Sequence, residues 1–339
     1  MKGEKFTVNG AEFKAIYFGD AKPGSRFLIY GASTPSPEWS TPIEMSPALE
    51  KYLDAVTTFP KDRGERAVKI QPFLLSDDKV VHQDAYNEFA TTDYADLRKV
   101  ADRLDAKQIR KTVGNLETDD SEMALAYTLL GIIGTKDDVP LLEGRLRSPD
   151  DLQRKRLDAL IGCYLTLKGP TGLPLIQTEF VEKDLADQNF SRLYRVLLCS
   201  RFHGDDGRVI SKTHILPILH KFLDHPKYAD LVIPDLARWG DWSVKQKVME
   251  LYRDKTGEAS FVREPAAKYM RVCPEGDATA MLEEMQKIDP EAFKRAMLFP
   301  VAPEKPATEK KVDKKADDAP KARRNSRFRS PTRSDGGPR

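Results

Sequence analysis

The pattern of hydrophobic and polar residues changes near position 46. Before it, short aromatic and β-branched runs at 6–8, 13–18 and 27–30 are separated by turn signals at 9–10 and 22–24. This pattern predicts three short strands within residues 1–45, too few for an independent domain. The segment is expected to dock on the rest of the chain or to be part of a larger, truncated β-module.

From Ser46 onward apolar residues return at helical spacing, and Gly, Pro and Asp separate the segments. Ser46-Pro47 is typical of an N-cap followed by proline in the first turn. Helices are predicted at 46–58, 63–75, 78–90, 94–104, 106–115, 120–133, 138–147, 151–167, 173–184, 190–202, 213–223, 228–238, 242–253, 260–271 and 277–298, the last with a break near 289–290. So many consecutive helices predict a mainly α fold over residues 46–299.

The helical region repeats itself at an offset of about 34 residues. The offset aligns Leu125 with Ala159 and Leu193, Leu129 with Cys163 and Leu197, and residues 140–142 with 174–176. A two-helix unit of this length is typical of an α-α solenoid, in which neighbouring units bury each other's faces. We expect buried side chains at Leu125, Leu129, Leu141, Leu160, Ile176, Leu197 and Leu236.

Several segments resemble HEAT-type repeats. Residues 130–142 (LGIIGTKDDVPLL) are similar to the L-G-x-x-G…VPxL pattern, and residues 74–85 and 146–151 are similar to the turn and following helix of such repeats. Residues 2–299 also resemble an uncharacterised family of HEAT-like planctomycete bacterial proteins, most specifically at 230–243 (DLVIPDLARWGDWS). The resemblance implies a HEAT-like fold and no established activity.

Members of that family usually begin with an export signal and a small β-module, which ends in a stretch like residues 22–28. This chain joins the pattern partway through the β-module. As written, its start lacks the apolar segment of a signal peptide and predicts a cytoplasmic protein. A truncated start would instead predict an exported or periplasmic one. No apolar run approaches the roughly 20 residues of a membrane span.

Motifs for catalysis or cofactor binding are absent from the sequence. It contains no phosphate-binding glycine loop, no GxSxG elbow and no HExxH. His214 and His220 lie about 120° apart on a helix and are expected on its surface, not on one metal ion. The paired aspartates recur at helix starts, where they cap free N–H groups. We therefore predict a non-catalytic protein without a metal or cofactor, with Cys163 and Cys199 as buried thiols.

Trp239 and Trp242, with Asp241 between them, form the sharpest candidate for a surface aromatic site. HEAT-like DNA glycosylases place tryptophans and an aspartate on a concave face, so an enzyme of that type is a remote alternative. Such an enzyme needs a basic groove for the phosphate backbone. Residues 1–299 carry 43 basic and 47 acidic side chains, which favours packing at a corner between helices.

Residues 300–339 differ in composition, with 12 Lys/Arg, 6 Asp/Glu and few large apolar residues. Such a segment is expected to be disordered. The side chains that would contact anions are Lys321, Arg323, Arg324, Arg327, Arg329 and Arg333. Two hypotheses remain open: a monomeric protein-interaction scaffold using a helical-repeat surface, and an anion- or nucleic-acid-associated protein recruited through this basic tail.

Overall fold

The computed structural model describes residues 15–32, 38–187, 189–207, 209–254 and 261–298. Its fold is mainly α-helical, as the hydrophobic pattern predicts. The basic residues predicted to contact anions, within 321–333, and the first predicted strand, at 6–8, lie outside the described residues. Within the described part of the chain no helix is both long and apolar enough to cross a membrane.

The N-terminal segment contains two small antiparallel ladders. Strand β1 (Phe27–Leu28) pairs with β4 (Ile43–Glu44), and β2 (Gly31–Ala32) pairs with β3 (Glu38–Trp39). Within the described residues the strand predicted near 27–30 is formed, whereas residues 15–18 have no ladder partner there. A salt bridge of 2.7 Å from Arg26 to Glu50 ties this segment to the first helix.

The helices match the predicted segments closely. Their bounds are α1 Pro47–Thr57, α2 Arg63–Ile70, α3 Lys79–Ala90, α4 Tyr94–Lys99, α5 Ala106–Gly114, α6 Asp120–Ile133, α7 Val139–Arg147, α8 Leu157–Lys168, α9 Leu173–Ile176, α10 Lys183–Ala186, α11 Phe190–Phe202, α12 Lys212–Phe222, α13 Pro226–Trp239, α14 Lys245–Arg253, α15 Arg263–Val272, α16 Ala278–Ile288 and α17 Pro290–Leu298. A 3₁₀ stretch, Gln71–Leu75, extends α2. A π-helical stretch, Gln177–Glu182, joins α9 to α10.

Capping side chains explain many of the helix starts. Ser46 accepts a hydrogen bond from the Leu49 amide at 2.9 Å, and Asp78 accepts from the amides of Val80 and Val81. Each cap satisfies N–H groups that the first turn leaves without a partner. The capping role predicted for the paired aspartates is therefore confirmed at Asp78. It is wrong at Asp205, whose carboxylate accepts instead from side chains of α13.

Alternate helices along the chain lie beside one another. Helix α6 packs on α8, α8 on α11, α13 on α15 and α15 on α17, while helices such as α5, α7 and α12 pack against this row. Side-chain hydrogen bonds join residues about one repeat apart: Tyr52 to Asp84 at 2.6 Å, Tyr86 to the Ser121 carbonyl at 2.9 Å, Arg195 to Asp158 at 3.1 Å and Arg201 to Asp235 at 2.8 Å.

One large apolar core runs through the helices from α2 to α17. Leu129, Leu160, Ile176, Leu197 and Leu236 are buried in it, as predicted, and Leu125 is partly buried against it.

Two expectations about the helices are wrong. Leu141 is 47% exposed, because α7 turns Val139, Leu142 and Leu146 inward and Leu141 lies about 100° from Leu142. Residues 151–156 form turns instead of the first part of a helix. Arg156, in the left-handed conformation with φ 51°, precedes the start of α8.

Candidate functional site

Helix α11 carries an apolar stripe that the core does not cover. Phe190, Tyr194 and Leu198 are 52%, 38% and 38% exposed, and half-buried Phe202 continues the series at the same four-residue spacing. The rings of Phe190 and Tyr194 are stacked with centroids 5.9 Å apart. From Phe190 to Phe202 the stripe extends about 18 Å along the helix and drifts about 120° around it, because each four-residue step turns about 400°.

The stripe borders a hollow over helices α6, α8 and α11. A cavity of about 230 Å³ is flanked by wider openings of about 450 and 370 Å³, which share lining residues with it. We call this continuous depression the trough. Small side chains of α6 and α8 line it: Ala124, Thr128, Gly131, Ala159, Gly162 and Thr166.

Two glycines keep the trough open. A Cβ built on Gly162 would meet nothing within 4 Å, and one on Gly131 would make only ordinary contacts, the nearest 3.6 Å from Thr166. Neither glycine has a positive φ. Glycine within a helix costs about 0.5–1 kcal/mol relative to alanine. The absence of a Cβ at Gly162 therefore does not relieve any clash and does not stabilise the fold. Its effect is to make the trough deeper.

The opening beside Phe190 has a charged rim. Asp158 accepts hydrogen bonds from Arg156 at 3.0 Å and from Arg195 at 3.1 Å. Burial opposes ionisation of Asp158, but the hydrogen bond from Arg156 and the nearby positive charges outweigh it and hold the pKa of this carboxyl below its usual range. Asp120 also lines this opening, so two guanidinium groups and two carboxylates meet at the rim and their charges balance.

Tyr94 lies between the cavity and the opening at the other end of the trough. Its ring meets the ring of Phe202 edge to face, with centroids 5.2 Å apart. Burial raises the pKa of the Tyr94 phenol, so its hydroxyl stays protonated and can donate a hydrogen bond. Exposed Arg98 and Lys136 line the opening beyond it.

Trp239 and Trp242, the residues of the predicted aromatic site, pack against different neighbours. The indole of Trp239 lies against Gly204, where a Cβ would come within 2.2 Å of the ring, and its N–H donates to Asp205 at 2.9 Å. Trp242 packs instead on Tyr269, with ring centroids 4.9 Å apart. Both tryptophans are partly buried against the core.

Asp241, between the two tryptophans, is held by its own neighbours. It contacts Nε2 of His220 at 2.6 Å and accepts from the Ser243 hydroxyl at 2.6 Å. His220 is half-buried in this pair, while His214 is exposed and contacts Ser211 at 2.7 Å. Among the described residues no three side chains of the metal-ligating types come together.

A buried histidine behind the trough is a feature that the sequence did not reveal. His203 lies at the end of α11, 2% exposed, and its Nε2 is 3.2 Å from the Gly162 carbonyl. Burial lowers the pKa of His203 to about 4. Cys163 and Cys199 are buried beside the cavity as predicted, and burial raises the pKa of both thiols, so the reactive thiolate is disfavoured.

No protein family, curated protein or solved structure matches this chain. The resemblance to HEAT-like proteins therefore stays a prediction from the sequence.

Proposed function

We propose that the chain is a HEAT-like α-α solenoid that acts as a non-catalytic scaffold and holds a segment of a partner protein in the trough. In this proposal the row containing α6, α8 and α11 is the inner face of the solenoid, and helices such as α5, α7 and α12 form its outer face. The contacts between alternate helices and the hydrogen bonds about one repeat apart support this arrangement.

The exposed stripe on α11 is the observation that carries the proposed function. Isolated exposed apolar residues are ordinary on protein surfaces, but Phe190, Tyr194 and Leu198 are contiguous and adjoin an open hollow. Aromatic side chains beside a recess are typical of residues that dominate binding energy in protein interfaces. Such a surface suits a partner segment with bulky apolar side chains.

The glycine positions support the same proposal. A bulky side chain from a partner can enter the cavity because Gly162 contributes no atoms to fill it. At the rim Arg156 and Arg195 face Asp158 and Asp120, so the charges balance and the apolar anchors of a partner segment would supply most of the binding energy.

The test is a peptide selection against the full-length protein. Random peptides are selected for binding, and the enriched sequences are measured against two variants by fluorescence anisotropy. Gly162→Trp fills the trough, while Gly144→Trp places the same side chain on α7, where a Cβ also has open space. We expect affinity to fall at least about tenfold with Gly162→Trp and to stay unchanged with Gly144→Trp. Equal binding by both variants would contradict a trough interface.

A second candidate function rests on the basic tail. Between Lys321 and Arg333 six of thirteen residues are basic and none is acidic. Binding to polyanions through this window should weaken steeply with salt, because each phosphate contact releases counterions. Anisotropy with a short RNA, comparing the full chain with one ending at Phe299, tests it. Equal binding by both chains would place anion binding elsewhere.

A further inference from the structure

The two ends of the trough differ in charge. At the end beside Phe190 two arginines meet two carboxylates, whose charges balance. The opening at the other end, of about 370 Å³, has Tyr94, Arg98, Thr135 and Lys136 in its wall. We call it the basic opening, because among the described residues that line it there is no aspartate and no glutamate.

Helix α4 presents Tyr94 and Arg98 together. The two residues are four positions apart, so they lie on the same side of the helix. Asp96 is two positions from each and lies about 160° around the helix from both. Its carboxylate accepts a hydrogen bond from Lys99 at 2.7 Å. The acidic residue of α4 therefore faces away from the basic opening and is paired there with a lysine.

The carboxylates that follow Lys136 in sequence are directed to α5. Asp138 accepts hydrogen bonds from Arg110 at 2.7 and 2.9 Å, and a third from the Thr135 amide at 2.9 Å. These hydrogen bonds from Arg110, with the charges of Asp138 and then Asp137, raise the pKa of the Arg110 guanidinium. Both carboxylates thus act on Arg110, and neither lines the basic opening.

The polar side chains of the basic opening offer donors. Neither Arg98 nor Lys136 has a hydrogen bond or an ion pair with a described residue. Burial raises the pKa of the Tyr94 phenol more than the Arg98 charge lowers it, so the phenol keeps a proton to donate. The Thr135 hydroxyl accepts from a backbone N–H and also keeps its proton. In the same lining, Thr166 spends its proton on a backbone carbonyl at 2.7 Å.

This set of groups selects an anion. Two positive charges without a carboxylate among them would repel a cation, and a neutral group would leave both charges unused. A carboxylate accepts hydrogen bonds at both oxygens, and its flat geometry matches the guanidinium of Arg98. The hydroxyls of Tyr94 and Thr135 add neutral donors to the same opening.

The length of the trough sets the spacing between this opening and the aromatic stripe. Helix α11 extends about 18 Å from Phe190 to Phe202, and the ring of Phe202 meets that of Tyr94 with centroids 5.2 Å apart. An extended chain covers about 3.3–3.6 Å per residue. About five residues of an extended segment would therefore connect the two ends.

We propose that the partner segment in the trough carries a carboxylate that binds at the basic opening, about five residues from an apolar anchor at Phe190. This inference rests on the proposed function and names the chemistry of the partner. The carboxylate belongs to an aspartate or glutamate side chain or to the end of the partner chain. Since the other end of the trough is balanced in charge, the carboxylate also fixes the direction in which the segment lies.

The experiment begins with peptides selected from a random library, unbiased in charge, on the full-length protein. We expect enriched sequences with a bulky apolar residue about five positions from an acidic residue or from a free C-terminus. Each peptide is measured by fluorescence anisotropy in three forms: unchanged, with its acidic residue replaced by the corresponding amide, and with an amidated C-terminus. One replacement should weaken binding at least about fivefold, and it identifies the source of the carboxylate. Peptides that tolerate both replacements would overturn the proposal.

Charge reversals on the protein locate the site. Arg98→Glu and Lys136→Glu, both at exposed positions, should each weaken binding at least about tenfold at low salt. Lys99→Glu is the matched control, because it changes the net charge equally from an exposed position outside the lining. It should change affinity less than about twofold. For a side-chain carboxylate, replacing that residue with lysine should restore binding to Arg98→Glu. Equal losses in all three variants, with native circular dichroism, would contradict a site at the basic opening.

Gly162→Trp separates this inference from the proposed function. Peptides that are lost with Gly162→Trp but retained by Arg98→Glu and Lys136→Glu would keep the trough as an interface and overturn only the carboxylate site. Peptides that still bind with Gly162→Trp would overturn both proposals.

Discussion

Replacing Gly162 by alanine should change the stability of the fold and the binding of a partner in the trough in opposite directions. The residue lies within α8, and a Cβ there would have no atom within 4 Å. Alanine therefore adds no clash, leaves the backbone carbonyl free to contact His203, and removes the entropic cost of glycine in a helix. The expected gain is about 0.5–1 kcal/mol in the free energy of unfolding.

Gly144 supplies the matched control for this change. It lies within α7, also with nothing within 4 Å of a Cβ, but it does not line the trough. Gly144→Ala should therefore stabilise the protein by a similar amount. In urea denaturation followed by circular dichroism, each variant should raise the midpoint by a few tenths of a molar.

Only the variant in the trough should affect binding. A methyl group at position 162 takes space at the floor of a cavity of about 230 Å³, so Gly162→Ala should weaken a selected peptide several-fold, while Gly144→Ala should not. A Gly162→Ala variant that destabilises the protein by 1 kcal/mol or more would mean that the glycine serves packing instead. That result would refute the reasoning about the open trough.

Three further predictions concern stability. Leu160→Ala should lower the free energy of unfolding, measured by urea denaturation, by about 2–5 kcal/mol, because the buried side chain would leave a cavity. Leu141→Ala should lower it by less than about 1 kcal/mol, because Leu141 is exposed. Similar losses in the two variants would mean that the core is misplaced. Gly204→Ala should destabilise by about 1–3 kcal/mol, since its Cβ would overlap the Trp239 ring, and a neutral result would show that this contact is not tight. Burial lowers the pKa of His203 to about 4, whereas the unfolded chain binds that proton near pH 6.5, so stability should fall between those pH values as pH drops, by up to about 3 kcal/mol. His203→Gln should flatten this dependence, and an unchanged slope would exclude His203 as its source.

The helices could be predicted because their signals are local. Ser46-Pro47 and Asp78 mark helix starts through hydrogen bonds within one turn, and the structure has those bonds. The offset of 34 residues also identified three helices that prove to be neighbours, α6, α8 and α11. The prediction for Leu141 was wrong because Leu141 and Leu142 are adjacent and equally hydrophobic. Only the tertiary contacts of α7 decide that Leu142 is the one that faces inward.

The trough could not be predicted because it depends on contacts between distant segments. The stripe on α11 has the same spacing as an ordinary core face, and only the absence of a covering helix in the described structure leaves it exposed. Other contacts are equally distant in sequence: Nε2 of His82 lies 2.7 Å from the carboxylate of Glu122, which is 40 residues away, so no motif connects the two. Glycine at 162 resembles a weak helix position in sequence, and its open surroundings become visible only in three dimensions.

The central claim, that a partner protein occupies the trough, is tested most directly by photo-crosslinking in the cells that produce the protein. The photoreactive residue p-benzoylphenylalanine replaces Leu198 in the trough or, as a control, Leu141 on α7, which is exposed to a similar degree. We expect a discrete adduct of one mass from position 198 only, and its loss when Gly162→Trp is introduced into the same chain. The same adduct from position 141, or an adduct at 198 that persists with Gly162→Trp, would contradict the account.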